Sequence, residues 1–234
     1  MVDEINYVPR SSKMQIDGFR RFLPFTGIIC AITMIAGIAL SGSMPTETAS
    51  VAEFMEYYGG NQTVGMISNF ILTNLFAVFL LFFITELRAT LRSGEAGESI
   101  YSSLAFAGAI VLAIAISLGG LFAVSAFSTA DAGHEAATVA LGVLSAYAFI
   151  PWMVGAAALF LAVGIGGLKT AALPKWISWA SVVMGVLCFT PGGIAVYLVQ
   201  PLWFLAMSVV LIRRQSAPVP ATQKSVATAT PATA

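Results

Sequence analysis

Side chains able to bond or ligate are few in this chain, and they concentrate in two places. The first holds Ser68, Asn69, Thr73 and Asn74. Asn69 and Thr73 are four residues apart and share one face of a helix. Asn74 falls near the middle of an apolar run. An amide there loses several kcal/mol of hydration if it faces hydrocarbon. It is therefore expected to point into a bundle and bond a neighbour, with Thr33 and Ser117 at similar depth. One reading makes Asn69, Thr73 and Asn74, with Tyr147, an intramembrane polar site for a small solute or ion. The other makes them interhelical glue, at about 1 kcal/mol per bond. The second place holds Asp131, His134 and Glu135, spaced i, i+3, i+4 on one helix face. Such a trio could hold a divalent metal. However, His134 is the only histidine, and zinc normally wants three or four ligands with a fixed second shell. Ser128-Thr129-Ala130-Asp131 also reads as a helix start, where acids complement the helix dipole. No metal and no cofactor are expected. The chain has no Walker sequence, no His-Glu-x-x-His and no Gly-x-Ser-x-Gly, so no catalytic residue is assigned and an enzyme is not expected.

The elements that must position these groups are membrane spans. Of 234 residues, 58% are hydrophobic and 9% charged. A soluble domain carries roughly a quarter charged residues. Mean hydropathy is +0.89. Eleven basic residues balance eleven acidic ones, so no global basic field would draw nucleic acid. A helix needs about 20 apolar residues to cross a hydrocarbon core of about 30 Å. Six runs qualify or nearly qualify, at about 22–43, 64–85, 103–127, 139–168, 173–189 and 193–212. They are continuous rather than alternating, which argues against a barrel. The fifth is short: its apolar stretch 176–189 is about 21 Å long as a helix. Thr190-Pro191-Gly192-Gly193 then signals a turn.

Charge placement tests the count. With six crossings all eleven Lys and Arg residues fall on one side, and the opposite loops hold only Glu47, Glu53, Glu56, Asp131 and Glu135. Basic residues favour the cytoplasmic side, so both termini are expected inside, in a cell (inner or plasma) membrane. Five crossings would strand Arg213 and Arg214 outside. The first span is about twice the length of a signal-peptide core and is expected to stay as an anchor.

Outside the spans, residues 1–21 form a polar cytoplasmic segment, and residues 215–234 read as a disordered cytoplasmic tail. Ser50-Val51-Ala52-Glu53 is a capping box. Val51, Phe54, Met55 and Tyr58 follow it at helical spacing. A short amphipathic helix at about 51–58 is expected on the outer surface, as a connector or a lid. Small residues at four-residue spacing (Ala105, Ala109, Ala113, Ser117 and Ala158, Ala162, Gly166) mark the third and fourth spans for the densest packing. Pro151 and Pro201 should bend their helices. Trp176 and Trp179 read as interfacial anchors, and Trp152 and Trp203 as residues packed against lipid. Glu86 is expected to snorkel or pair near Arg88. Cys30 and Cys188 differ in depth, so no disulfide between them is expected.

Leu173-Pro174-Lys175-Trp176-Ile177-Ser178-Trp179, then Val183 to Leu187, Pro201-Leu202-Trp203 and Leu211-Ile212-Arg213-Arg214, resemble a family of Ala-rich multi-pass membrane proteins. That family is bacterial, frequent in actinobacteria, and of unknown function. The likeness covers residues 20–214. It implies a topology but no reaction, and it transfers no site residue. The expected fold is all-α, one polytopic six-helix membrane bundle. Its expected partners are the lipid bilayer and another membrane protein met through apolar helix faces, not nucleic acid. The leading functional reading is a non-enzymatic scaffold or accessory subunit. The alternative is a small-solute or lipid-binding transporter with a polar site around Asn74.

Overall fold

The computed structural model describes residues 18–46, 48–60 and 62–216. Most of the expected N-terminal segment and tail lie outside the described residues. Every regular element among the described residues is helical. A short α-helical stretch at residues 18–22 and a 3-10 segment Leu23–Phe25, with Pro24 in its first turn, lead into α1 (Thr26–Ser41). Then come α2 (Val51–Gly60) and α3 (Gln62–Met66). A π-helical segment, Ile67–Leu72, joins α3 to α4 (Thr73–Arg92). The rest are α5 (Ile100–Asp131), α6 (Glu135–Tyr147), α7 (Phe149–Thr170), α8 (Lys175–Leu187) and α9 (Gly193–Ser216).

Five stretches are long and apolar enough to cross a membrane: Gly18–Ser41, Thr63–Arg92, Ile100–Asp131, Glu135–Thr170 and Gly193–Ser216. The remaining expected span, the fifth at about 173–189, is the 13-residue α8, shorter than those five. The fourth expected span is two helices rather than one. Ala148 separates α6 from α7. Pro151 explains the break, because its ring collides with the carbonyl four residues back, at Tyr147. The expected tail also begins too early: Gln215 and Ser216 complete α9.

The most extensive pairing is α5 against α7, the third and fourth spans as expected. Ala105, Ala109 and Ala113 are buried there. The closest approach, however, comes from residues the four-residue stripes did not include. A Cβ on Gly108 would lie 2.6 Å from the Leu159 nitrogen, and one on Gly155 2.5 Å from the Leu112 nitrogen. Each glycine seats the other helix's backbone. α8 runs antiparallel along α7, with Gly164 against Ser178 and Val182, and Gly185 against Leu161. The centre is filled by edge-to-face rings. Phe76, Phe83 and Trp203 each pack on Phe204 at 5.3–5.6 Å, and Phe160 packs on Trp203 at 4.9 Å. Trp203 also donates to Ser181 Oγ at 2.8 Å. Trp152 and Trp203 are therefore core residues, not lipid-facing ones. Cys30 and Cys188 are free, buried thiols.

One end of the bundle is covered by α2. Glu53 Oε2 accepts from the Ser50 nitrogen (2.6 Å) and hydroxyl (2.9 Å), while the Glu53 nitrogen donates to Ser50 Oγ (3.3 Å). This reciprocal pair is the expected capping box. Phe54 and Tyr58 are buried against Phe127, Ala126 and Ala130. Gly142 leaves room for both rings. Val51, expected on the apolar face, is exposed instead. The Tyr57 hydroxyl ties α2 to α1 by donating to the Ser41 carbonyl at 2.6 Å.

Candidate functional site

The polar cluster of the second span straddles the π-helical segment, which holds Ser68 and Asn69, and the first turn of α4, which holds Thr73 and Asn74. Wide turns loosen the usual carbonyl ladder, and π-bulges recur at functional sites. Here side chains take up the carbonyls. Ser68 Oγ and Asn69 Nδ2 both donate to the Gly65 carbonyl at 3.0 Å. Thr73 Oγ1 donates to the Asn69 carbonyl. Asn74 Nδ2 donates to the Phe70 carbonyl at 2.6 Å. The structure divides the expected quartet. Asn69 and Thr73 lie against α5 at Gly120: a Cβ there would collide with the Asn69 backbone carbonyl and lie 2.7 Å from Thr73 Oγ1. That contact is close backbone packing, while the side-chain hydrogen bonds of both residues stay within their own helical segment.

Asn74, one residue on and about 100° further round the helix, points the other way. It is exposed, and its amide bonds its own helix rather than a neighbour. The expectation that it enters the bundle is corrected. The inward face of α4 is already taken by Phe76, Ala77, Leu80 and Phe83. Thr33 serves its own helix too, donating to the Ile29 and Cys30 carbonyls. Ser117, the other expected partner, shares a surface groove of ≈ 500 Å³ with Asn74. Ala77, Ala113, Leu118 and Leu121 also line it. Tyr147 is exposed at the end of α6 and is not among the residues lining this groove.

The Asp131–Glu135 segment is built differently from its expectation. Residues 128–131 end α5 and do not start a helix. Gly133, at φ +74°, takes the left-handed position that glycine adopts freely. His134 N then donates to the Thr129 carbonyl (2.9 Å) and Gly133 N to that of Ala130 (3.0 Å), a Schellman stop. Glu135 opens α6, the next helix. Among the described residues no group of three or more His, Cys, Asp or Glu side chains is placed to hold a metal.

A recess of ≈ 610 Å³ lies beside α2, lined by Ser43, Thr46, Glu53, Glu56 and Tyr57 among others. Hydrogen bonds from Ser50 hold the Glu53 carboxyl below the usual carboxylate range. Burial pushes the phenols of Tyr57 and Tyr58 up, which keeps both protonated at neutral pH.

At the opposite end the cations gather. Gln215 donates to the Arg20 carbonyl at 3.0 Å and to Glu86 Oε1 at 3.1 Å. Arg20, Ser93 and Arg214 line one recess with them. Arg88 lies 5.0 Å from the centre of the Phe106 ring, and Lys169 5.4 Å from that of Tyr101. Glu86 is buried and bonded to Gln215, which corrects its expected pairing with Arg88.

Sequence reasoning missed Gln200 in the last span. It is fully buried, and neither amide atom has a hydrogen-bond partner among the described residues. The signal was present, since a glutamine interrupts an apolar run beside Pro201. The class these observations define is an all-helical protein with membrane-type apolar spans. Comparison with family models, with curated proteins and with solved structures finds no match.

Proposed function

We propose that the chain is a six-span protein of the cell (inner or plasma) membrane with both termini cytoplasmic, and that it serves as a non-enzymatic accessory or scaffold subunit. A partner's transmembrane helix would dock in the Asn74 groove. The supporting observation is Asn74 itself. Its amide is exposed on a surface whose neighbours are apolar, in a groove floored by Ala77, Ala113 and Ser117. Small residues with one polar group are the chemistry by which membrane helices associate. The ring-filled core weighs against the transport alternative, because Phe76, Phe83, Phe160, Trp203 and Phe204 occupy the centre of the bundle.

One observation supports six crossings. The start of α8 and the end of α9 lie side by side, since Pro174, Trp176, Arg213 and Arg214 surround one groove. The pair is thus a hairpin that goes out and returns. The 13 residues of α8, about 20 Å long, fall short of the hydrocarbon thickness, which bilayers meet by thinning or by anchoring flanking residues. The topology also agrees with the resemblance to the Ala-rich actinobacterial-type family.

A photocrosslinking residue at Val78, in the groove, tests the docking reading, with Ile32 on α1 as control. Both positions are exposed. A discrete protein adduct at position 78, absent at 32 and lost with Asn74→Leu, is expected. Lipid adducts alone at both positions defeat the reading.

A further inference from the structure

The cationic end of the bundle carries a second groove, on a different face from Asn74. It lies between the start of α8 and the end of α9, which touch each other only sparingly. Its volume is ≈ 460 Å³, and Pro174, Trp176, Ala206, Val209, Arg213 and Arg214 line it. Ala206 leaves the floor low. Trp176 and Val209 are exposed along the walls. Arg213 and Arg214, consecutive residues near the end of α9, both line an otherwise apolar trough. Among the described residues neither arginine forms an ion pair. Glu86, the acid that shares the adjoining recess with Arg214, is buried and already bonded to Gln215.

A trough of this kind has two chemistries in one object. The apolar length suits a hydrocarbon chain, and the arginines suit a phosphate, which guanidinium recognises with paired N–H donors. Tryptophan marks the level between them, where headgroup meets acyl chain. Basic pockets between membrane helices take anionic headgroups for these reasons. We propose that this groove is a binding site for an anionic phospholipid. Arg213 and Arg214 hold the phosphate, and an acyl chain lies along Val209 and Ala206 beside Trp176. The site is independent of the Asn74 groove and of any partner protein.

The test uses the purified full-length chain reconstituted in mixed phosphatidylcholine and phosphatidylglycerol vesicles. Bromine atoms on the acyl chains of one lipid or the other quench nearby tryptophan. Brominated phosphatidylglycerol is expected to quench more strongly than brominated phosphatidylcholine, and Trp176→Phe should remove that excess. Arg213→Gln with Arg214→Gln should abolish the preference, by on the order of fivefold in relative affinity per arginine. Val209→Phe keeps both charges, fills the groove and should also abolish it. If the double variant fails to fold, Val209→Phe alone decides. Equal quenching by both lipids in the unaltered chain overturns the proposal. So does a preference that survives Val209→Phe, or one that Lys175→Gln removes as fully as the double variant, since either is surface charge without a site.

Discussion

A methyl group at Gly155 would press on the Leu112 nitrogen, and backbone cannot yield as a flexible side chain can. Gly155→Leu should therefore lower thermal stability in detergent by at least about 1–3 kcal/mol, the usual cost of overpacking. Gly37→Ala, with nothing within 4 Å of the new methyl, should not lower it. Asn74→Leu separates two roles for one amide. Its only hydrogen bond among the described residues is to its own helix, so stability of the isolated protein should stay within about 0.5 kcal/mol, while association is lost. A drop in melting temperature as large as that of Gly155→Leu would return the amide to the role of glue. Gln200 gives the opposite case. An unpartnered buried amide costs about 1–3 kcal/mol, so Gln200→Leu should raise the melting temperature. A fall would show that the amide has a partner in the native protein.

Helix ends and breaks set the element scale. The α2 cap depends on an ionised Glu53. Its carboxyl is held below the ordinary range by Ser50. The contribution is therefore complete at neutral pH, above the unfolded value, and is lost as pH falls through the depressed folded value. Amide exchange in α2, corrected for intrinsic rates, should accelerate selectively in that acidic window. Ser50→Ala should accelerate it already at neutral pH. A pH-independent profile in the unaltered chain would remove the carboxylate from the cap. At the other break, Pro151→Ala restores a donor for the Tyr147 carbonyl. Spin labels at Ala136 and Ile165 should then report a longer distance as α6 and α7 straighten into one rod. An unchanged distance would place the cause of the bend in tertiary contacts, such as Ser145 Oγ donating to the Gly119 carbonyl at 3.0 Å.

Topology belongs to the whole molecule. Single cysteines at Ser93 and Ser216 should label from one side of the membrane, and a cysteine at Glu56 from the other. All three positions are exposed, while Cys30 and Cys188 are buried and give a low background. Ser216 and Glu56 reacting from the same side would mean an odd number of crossings. The bundle gathers Arg20, Arg214, Glu86 and Gln215 into one recess. The face that holds Arg20 and Arg214 is therefore also one where three segments distant in sequence meet, the stretch before α1, α4 and the end of α9. The proposed even number of crossings is what these labels test.

The sequence by itself determined the helical class, five membrane-type spans and the capping box. Each follows from residue type and short-range periodicity: apolar length and the Ser50–Glu53 spacing. Tertiary structure decided which way each polar group faces. Thr73 and Asn74 are neighbouring polar residues, yet Thr73 packs on Gly120 and Asn74 faces outward. The difference comes from which α4 residues the aromatic core had already taken. It also decided that Trp152 and Trp203 are core, that Gly108 and Gly155 set the closest approach of α5 and α7, and that residues 128–131 stop a helix. Those outcomes depend on the backbone of a neighbouring helix, which no periodicity along a single chain encodes.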